Sequence, residues 1–238
     1  MGGAVLMITI TDRSRGEEFA NWYKAQGIPL VLTALGNGTA TMEVLSVLGL
    51  EATEKAVLFC VAARSPRLVR RAAKELWLDI PGRGVLMTVP ISSMGVAAKD
   101  YLLQGQEAEE SMENKQTHEL IVAIAKQGYT EQVMNAARSA GATGGTIVHA
   151  KGAGTNMAKK FFGVSIAAER EMVFILTKQE NRKEIMKAII TQAGLKSDAE
   201  AMVFSMSVSD IAGLRQLDAE EIHSLHISHH PELRVGIL

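Results

Sequence analysis

Leu120-Ile121-Val122-Ala123-Ile124 is the stretch from which the fold can be read. Five consecutive apolar residues, rich in β-branched types, read as a strand buried on both faces. The same reading applies 114 residues earlier, to Leu6-Met7-Ile8-Thr9-Ile10. Outward from these runs the correspondence continues at that offset, with Glu17 on Glu131, Phe19 on Val133 and Gly27 on Gly141. At an offset of 116, Gly36-Asn37-Gly38-Thr39 falls on Gly152-Ala153-Gly154-Thr155, and Glu54-Lys55-Ala56-Val57-Leu58-Phe59 on Arg170-Glu171-Met172-Val173-Phe174-Ile175. At 117, Val85-Leu86-Met87-Thr88-Val89-Pro90-Ile91 meets Met202-Val203-Phe204-Ser205-Met206-Ser207-Val208. Identities are sparse, but apolar pattern and glycine punctuation recur, so the chain is a repeat.

Each half reads strand, helix, strand, strand, helix, strand. The first helix carries Phe19, Trp22 and Tyr23 on one face, and its counterpart Val133, Ala136, Ala137 and Ala140, spacings that suit packing on a sheet. Gly27 and Gly141 close these helices. The second helices repeat the device with Val69, Ala72, Ala73 and Leu76, and with Ile185, Ala188 and Ile189; Pro66 suits a first turn. Gly36-Asn37-Gly38 reads as a hairpin turn. The order βαββαβ is the ferredoxin-like plan, so the fold class is α+β with two tandem ferredoxin-like domains. Helices lie on one face of such a sheet. Because the strands are apolar on both sides, the other face needs a second sheet, from another chain or from the other repeat.

The expected division is residues 1–96 and 117–215 for the repeats, 97–116 for an acidic linker and 216–238 for an acidic, His-containing tail. The net charge of −1 over 238 residues is a cancellation. The repeats carry +2 and +3, the linker −3 and the tail −3. With 11 aromatics and no basic excess, no nucleic-acid surface is expected. The longest strongly apolar run, Ala56 to Ala63, is far short of the ~20 residues of a membrane helix, so no membrane insertion is expected. Met1-Gly2-Gly3-Ala4-Val5-Leu6 lacks a basic segment ahead of its apolar residues, and a cytoplasmic protein is expected. The single cysteine, Cys60, sits in an apolar run and reads as a buried small hydrophobe.

The run Thr146-Ile147-Val148-His149-Ala150-Lys151-Gly152-Ala153-Gly154, the strand Glu171-Met172-Val173-Phe174-Ile175-Leu176 and the closing strand from Val85 to Ile91 resemble the PII (nitrogen regulatory) signal-transduction family. In that family Lys-Gly-x-Gly opens the regulatory T-loop and a Gly-x-Gly before the last strand forms the B-loop. The resemblance implies a non-enzymatic regulator that binds ATP or ADP at a cleft between neighbouring domains. It also implies docking on a partner protein, a transporter, enzyme or transcription factor, and assembly as a homo-oligomer or by pairing of the two repeats. Residue by residue, Thr146, Lys151, Gly152 and Gly154 match the T-loop side, and Gly82, Arg83 and Gly84 the B-loop side. Glycine turns offer successive N–H groups to an anion, and Lys151 adds a charge.

The departures are complementary. The first repeat has Leu35 in the place of the lysine. The second has Ser197-Asp198-Ala199-Glu200 in the place of the B-loop glycines, which is expected to remove the turn and add negative charge. Lys151, Gly152 and Gly154 of one repeat facing Gly82, Arg83 and Gly84 of the other would make one complete site. Two other readings stand beside it. A tandem ACT-type module would bind amino acids near Gly16 and Gly128, and a ligand-free interaction protein would bind neither. In the tail, His223, His226 and His230 would share a helix face, though without cysteines and with Pro231 following, a solvated tail is expected rather than a metal site. His118 and His149 show no acid–base partner in sequence. No nucleophile and base stand at a catalytic spacing, so no enzymatic activity is expected.

Overall fold

The structure is a computed structural model that describes residues 3–39, 54–80, 82–109, 117–151 and 169–214. The first unit runs β1 (Ala4–Asp12), a 3-10 turn (Arg13–Arg15), α1 (Gly16–Ala25), β2 (Val31–Gly38), β3 (Glu54–Ala63), α2 (Pro66–Glu75) and β4 (Gly84–Pro90). A short helix, α3 (Val96–Leu102), follows at the start of the acidic stretch. The second unit runs β5 (His118–Lys126), α4 (Thr130–Ser139), β6 (Thr146–Lys151), β7 (Glu169–Lys178), α5 (Arg182–Ala193) and β8 (Met202–Val208), with a short β9 (Asp210–Ala212) behind it. Both units are βαββαβ. Local chemistry sets their edges: Ser65 Oγ accepts the Leu68 N–H at the start of α2 with Pro66 in its first turn.

Within the units the strand orders are β2-β3-β1-β4 and β6-β7-β5-β8, and the two join into one sheet, β8-β5-β7-β6-β2-β3-β1-β4-β9. The first junction is antiparallel pairing of β2 with β6 (Gly36 with Val148, Asn37 with Ile147, Gly38 with Thr146). Gly36-Asn37-Gly38 is therefore strand, not a hairpin turn. The second junction is β9 on β4. Only Ser209 separates β8 from β9, and its N–H donates to the Thr88 carbonyl at 2.8 Å. Both ends of the sheet thus lie on one stretch of chain, which closes it into a barrel.

Side-chain alternation then gives three cores. Ala56, Leu58 and Cys60 face α1 and α2 with Phe19, Tyr23, Val69 and Ala72. Ile121, Ala123, Val173 and Ile175 face α4 and α5 with Val133, Ala137, Ile185 and Ile189. The third fills the barrel with residues of both units: Ile8, Val57 and Met87 against Leu120, Val122, Val148 and Phe174. At ~1.5–3 kcal/mol for each large apolar side chain removed from water, this shared interior binds the two sheets together. One repeat covers the other. Burial also pushes the Cys60 thiol up to about 12.

Strand register corrects the internal alignment. Asp12 pairs with Lys55, and Lys126 with Arg170, so the third strands correspond at an offset of 115 and Phe59 is the counterpart of Phe174. These two rings meet edge to face inside the barrel, with centroids 6.3 Å apart. An offset of 116 would turn a barrel residue onto a helix-facing one. Gly36 pairs with Lys55 as Ala150 does with Arg170, so the counterpart of Lys151 is Asn37 rather than Leu35.

Candidate functional site

The turn before β4 holds three of the expected residues. Gly82 has φ +81° and Gly84 φ +142°, where a side chain is strained. A Cβ on Gly84 would stand 2.7 Å from the Ile10 carbonyl oxygen. The Arg83 carbonyl accepts from Thr11 Oγ1 (2.8 Å) and from Arg15 Nη1 (3.2 Å). Arg15 also donates to the Leu76 carbonyl at 2.9 Å and to Glu18, and its guanidinium lies 4.9 Å from the centre of the Phe19 ring. It props the turn from beneath. Nothing in the local sequence marks Arg15 for this, because its acceptors are remote carbonyls. The Arg83 side chain is exposed and has no hydrogen bond or ion pair with any described residue.

Thr146, the first residue of β6, is 7% exposed and lies at the seam, paired with Gly38. Lys151 is the last residue of β6. Gly152 and Gly154 lie outside the described residues, as do the tail histidines His223, His226, His229 and His230. β1 and β2 both run antiparallel to β3, and β6 runs antiparallel to β2. Gly84 pairs with Thr11 near the end of β1, so Lys151 lies at the opposite end of the barrel. One chain does not bring Lys151 and Gly84 together.

The second unit keeps the turn that its sequence was expected to lose. Ser197 N–H donates to the Gly194 carbonyl and Glu200 N–H to Ser197, with Glu200 at φ +45°. Register makes Glu200 the counterpart of Arg83, and Lys126 that of Asp12. The charges are exchanged. In the first unit Asp12 takes Lys55 at 2.5 Å, leaving Arg83 outward. In the second, Glu200 lies 2.7 Å from Lys126 and 3.5 Å from Arg170, so the turn supplies its own anion to two cations.

The Lys126 hydrogen bond, with the charges of Lys126 and Arg170, holds the Glu200 carboxyl below the usual range. A depressed folded-state pKa contributes stability that is present above the unfolded value and lost as pH falls through the folded one. Glu200→Gln is therefore expected to flatten the acid limb of a plot of Tm against pH while leaving the neutral limb parallel. Unchanged acid sensitivity would show that Glu200 does not anchor the turn. The effect is small, since the carboxylate is 40% exposed.

His149 does have an acidic partner, which sequence did not reveal. The buried Glu171 places Oε1 3.0 Å from His149 Nδ1 and accepts the Gly128 N–H at 3.1 Å. The other ring nitrogen meets the Asn37 amide at 3.3 Å, across the seam. The pair ties the units rather than facing a nucleophile. In the loops of the ACT-type reading, Glu171 takes the Gly128 amide, and Gly16 is buried where a Cβ would stand 2.9 Å from the Ala56 Cβ. Among the described residues no cluster of histidine, cysteine and carboxylates could hold a metal, and no helix is long and apolar enough to cross a membrane.

Residues 118–218 match the family model of nitrogen regulatory protein P-II. Among solved structures, PII of Arabidopsis thaliana bound to citrate is 16% identical, over 43% of this chain and 94% of that one, at a TM-score of 0.32. An unknown protein from Galdieria sulphuraria is 12% identical over 87% and 99% of the two chains, at 0.29. An aspartate kinase from Synechocystis is 9% identical over 86% and 44%, at 0.28. No curated protein matches the sequence. The family match spans the second βαββαβ unit from the first residue of β5, and it is this unit that is similar to the nitrogen regulatory protein P-II family.

Proposed function

We propose that this PII-like regulatory protein senses a small anion, an adenine nucleotide (ATP or ADP) foremost, at the turn Gly82-Arg83-Gly84. It then signals to a partner protein, a transporter, enzyme or transcription factor, as in nitrogen regulation, in the cytoplasm and without catalysing a reaction. The exchange of Arg83 for Glu200 carries the reading. One turn is neutralised from within, and the other presents a guanidinium that has no ion pair among the described residues, between two glycines at positive φ. An exposed cation held in a glycine turn suits phosphate oxygens. Since Lys151 lies at the far end of its own barrel, Lys151, Gly152 and Gly154 reach this turn from a second copy of the chain. The complete site then forms between copies.

Calorimetry with ATP and ADP tests this. Binding is expected to weaken at least about tenfold in Arg83→Gln, the loss of one charge-assisted contact. Sedimentation is expected to show nucleotide favouring a larger assembly. No binding at millimolar nucleotide, or binding indifferent to both Arg83→Gln and Lys151→Ala, overturns the reading.

A further inference from the structure

A groove of about 350 Å³ opens where the barrel closes. The first turns of α2 (Pro66, Val69, Arg70), the start of β5 (Thr117, His118) and the β8–β9 junction from Val208 to Ile211 line it. Its walls come from both units, so it exists only because one repeat has closed on the other. Its size is at the small end of metabolite sites.

We propose that this groove binds a small organic anion with an apolar body. The apolar part has Val69, Val208, Ile211 and the Pro66 ring to rest on. The charge follows from what each polar group already does. The Asp210 carboxylate is committed to Arg64 at 3.2 Å and to Thr88 Oγ1 at 3.2 Å, and its side chain is only 8% exposed. Ser209 Oγ lies 2.8 Å from Thr88 Oγ1. Thr117 Oγ1 lies 2.8 Å from His118 Nδ1. Arg70 is different: it is exposed and has no partner among the described residues. The N-terminus of α2 is not the anchor, because Glu109 already fills it by accepting from Ser65 Oγ and the Arg67 N–H. One free guanidinium beside an apolar floor therefore selects a carboxylate on a hydrocarbon body.

His118 is the reporter. Burial, then the charge of Lys178 on β7, holds its imidazole below the usual pKa, so near neutral pH it stands uncharged and responds to a neighbouring anion. The test follows the His118 ring signals by NMR in the full-length chain titrated with 3-phenylpropionate and, separately, with 3-phenylpropionamide. The carboxylate is expected to shift His118 saturably and the amide at least about tenfold more weakly, the difference one charge-assisted hydrogen bond makes. Arg70→Gln is expected to abolish that preference, whereas Arg83→Gln leaves it intact, which separates this groove from the nucleotide turn. A His118 ring unmoved by the carboxylate, an equal response to the amide, or a preference that survives Arg70→Gln overturns the proposal. The comparison of carboxylate with amide needs no substitution, so it decides even where a variant folds poorly.

Discussion

Phe174→Ala is expected to lower the free energy of unfolding by about 3–5 kcal/mol, the cost of truncating a large aromatic in a packed core, and to loosen both units at once. Phe174 is 6% exposed and sits in the interior that the two sheets share, edge to face with Phe59. The cavity would open into the interior to which Val57 of one unit and Val122 of the other both belong. Hydrogen exchange separates this from an ordinary core defect. Protection should fall in β1 and β3 as well as in β5 and β7. Ile189→Ala, which empties only the core between α4, α5 and their own strands, should act first on the second unit. Loss of protection confined to the second unit in Phe174→Ala would mean that the barrel interior does not couple the repeats.

The same pair of rings shows where sequence stops. The order of elements was legible, because uninterrupted apolar runs mark doubly covered strands and the spacings around Phe19, Val133, Val69 and Ile185 mark amphipathic helices. The register of the repeat was not. Val173, Phe174 and Ile175 are all apolar, so sliding the third strand by one residue costs the pattern nothing, although it exchanges barrel and helix faces. Burial on both sides erases the alternation that normally fixes register.

The site divides along similar lines. Gly82 and Gly84 could be read as a turn from composition alone. The role of Arg15 could not, since the carbonyls it reaches belong to residues 61 and 68 positions away. Glu200 was visible as a misplaced charge, but Lys126 and Arg170 had to be brought to it by the fold before the charge made sense. That Lys151 and Gly84 occupy opposite ends follows from β2 meeting β6 antiparallel, a tertiary choice that neither repeat encodes by itself.

Gly36 tests that choice. Its backbone passes so close to β6 that a Cβ would stand 2.4 Å from the Ile147 carbonyl oxygen and 3.4 Å from its carbon. A backbone atom cannot turn aside as a side chain can, so any added carbon must part the two strands along the Gly36–Val148, Asn37–Ile147 and Gly38–Thr146 pairs. Gly36→Val is expected to cost about 3 kcal/mol, at the upper end of ordinary overpacking, which for a chain of this length lowers Tm by about 6–12 °C. Gly36→Ala should fall between it and the unsubstituted chain. Gly144, in the loop before β6, supplies the contrast. A Cβ there meets nothing nearer than Thr39 Oγ1 at 3.9 Å, so Gly144→Ala should leave Tm unchanged or raise it slightly by restricting the unfolded chain. The seam also carries the Asn37–His149 contact, and His149 NMR signals should move in Gly36→Val but not in Gly144→Ala. If Gly36→Val melts with the unsubstituted chain and leaves His149 undisturbed, β2 and β6 are not joined, and the two units are separate sheets rather than one barrel.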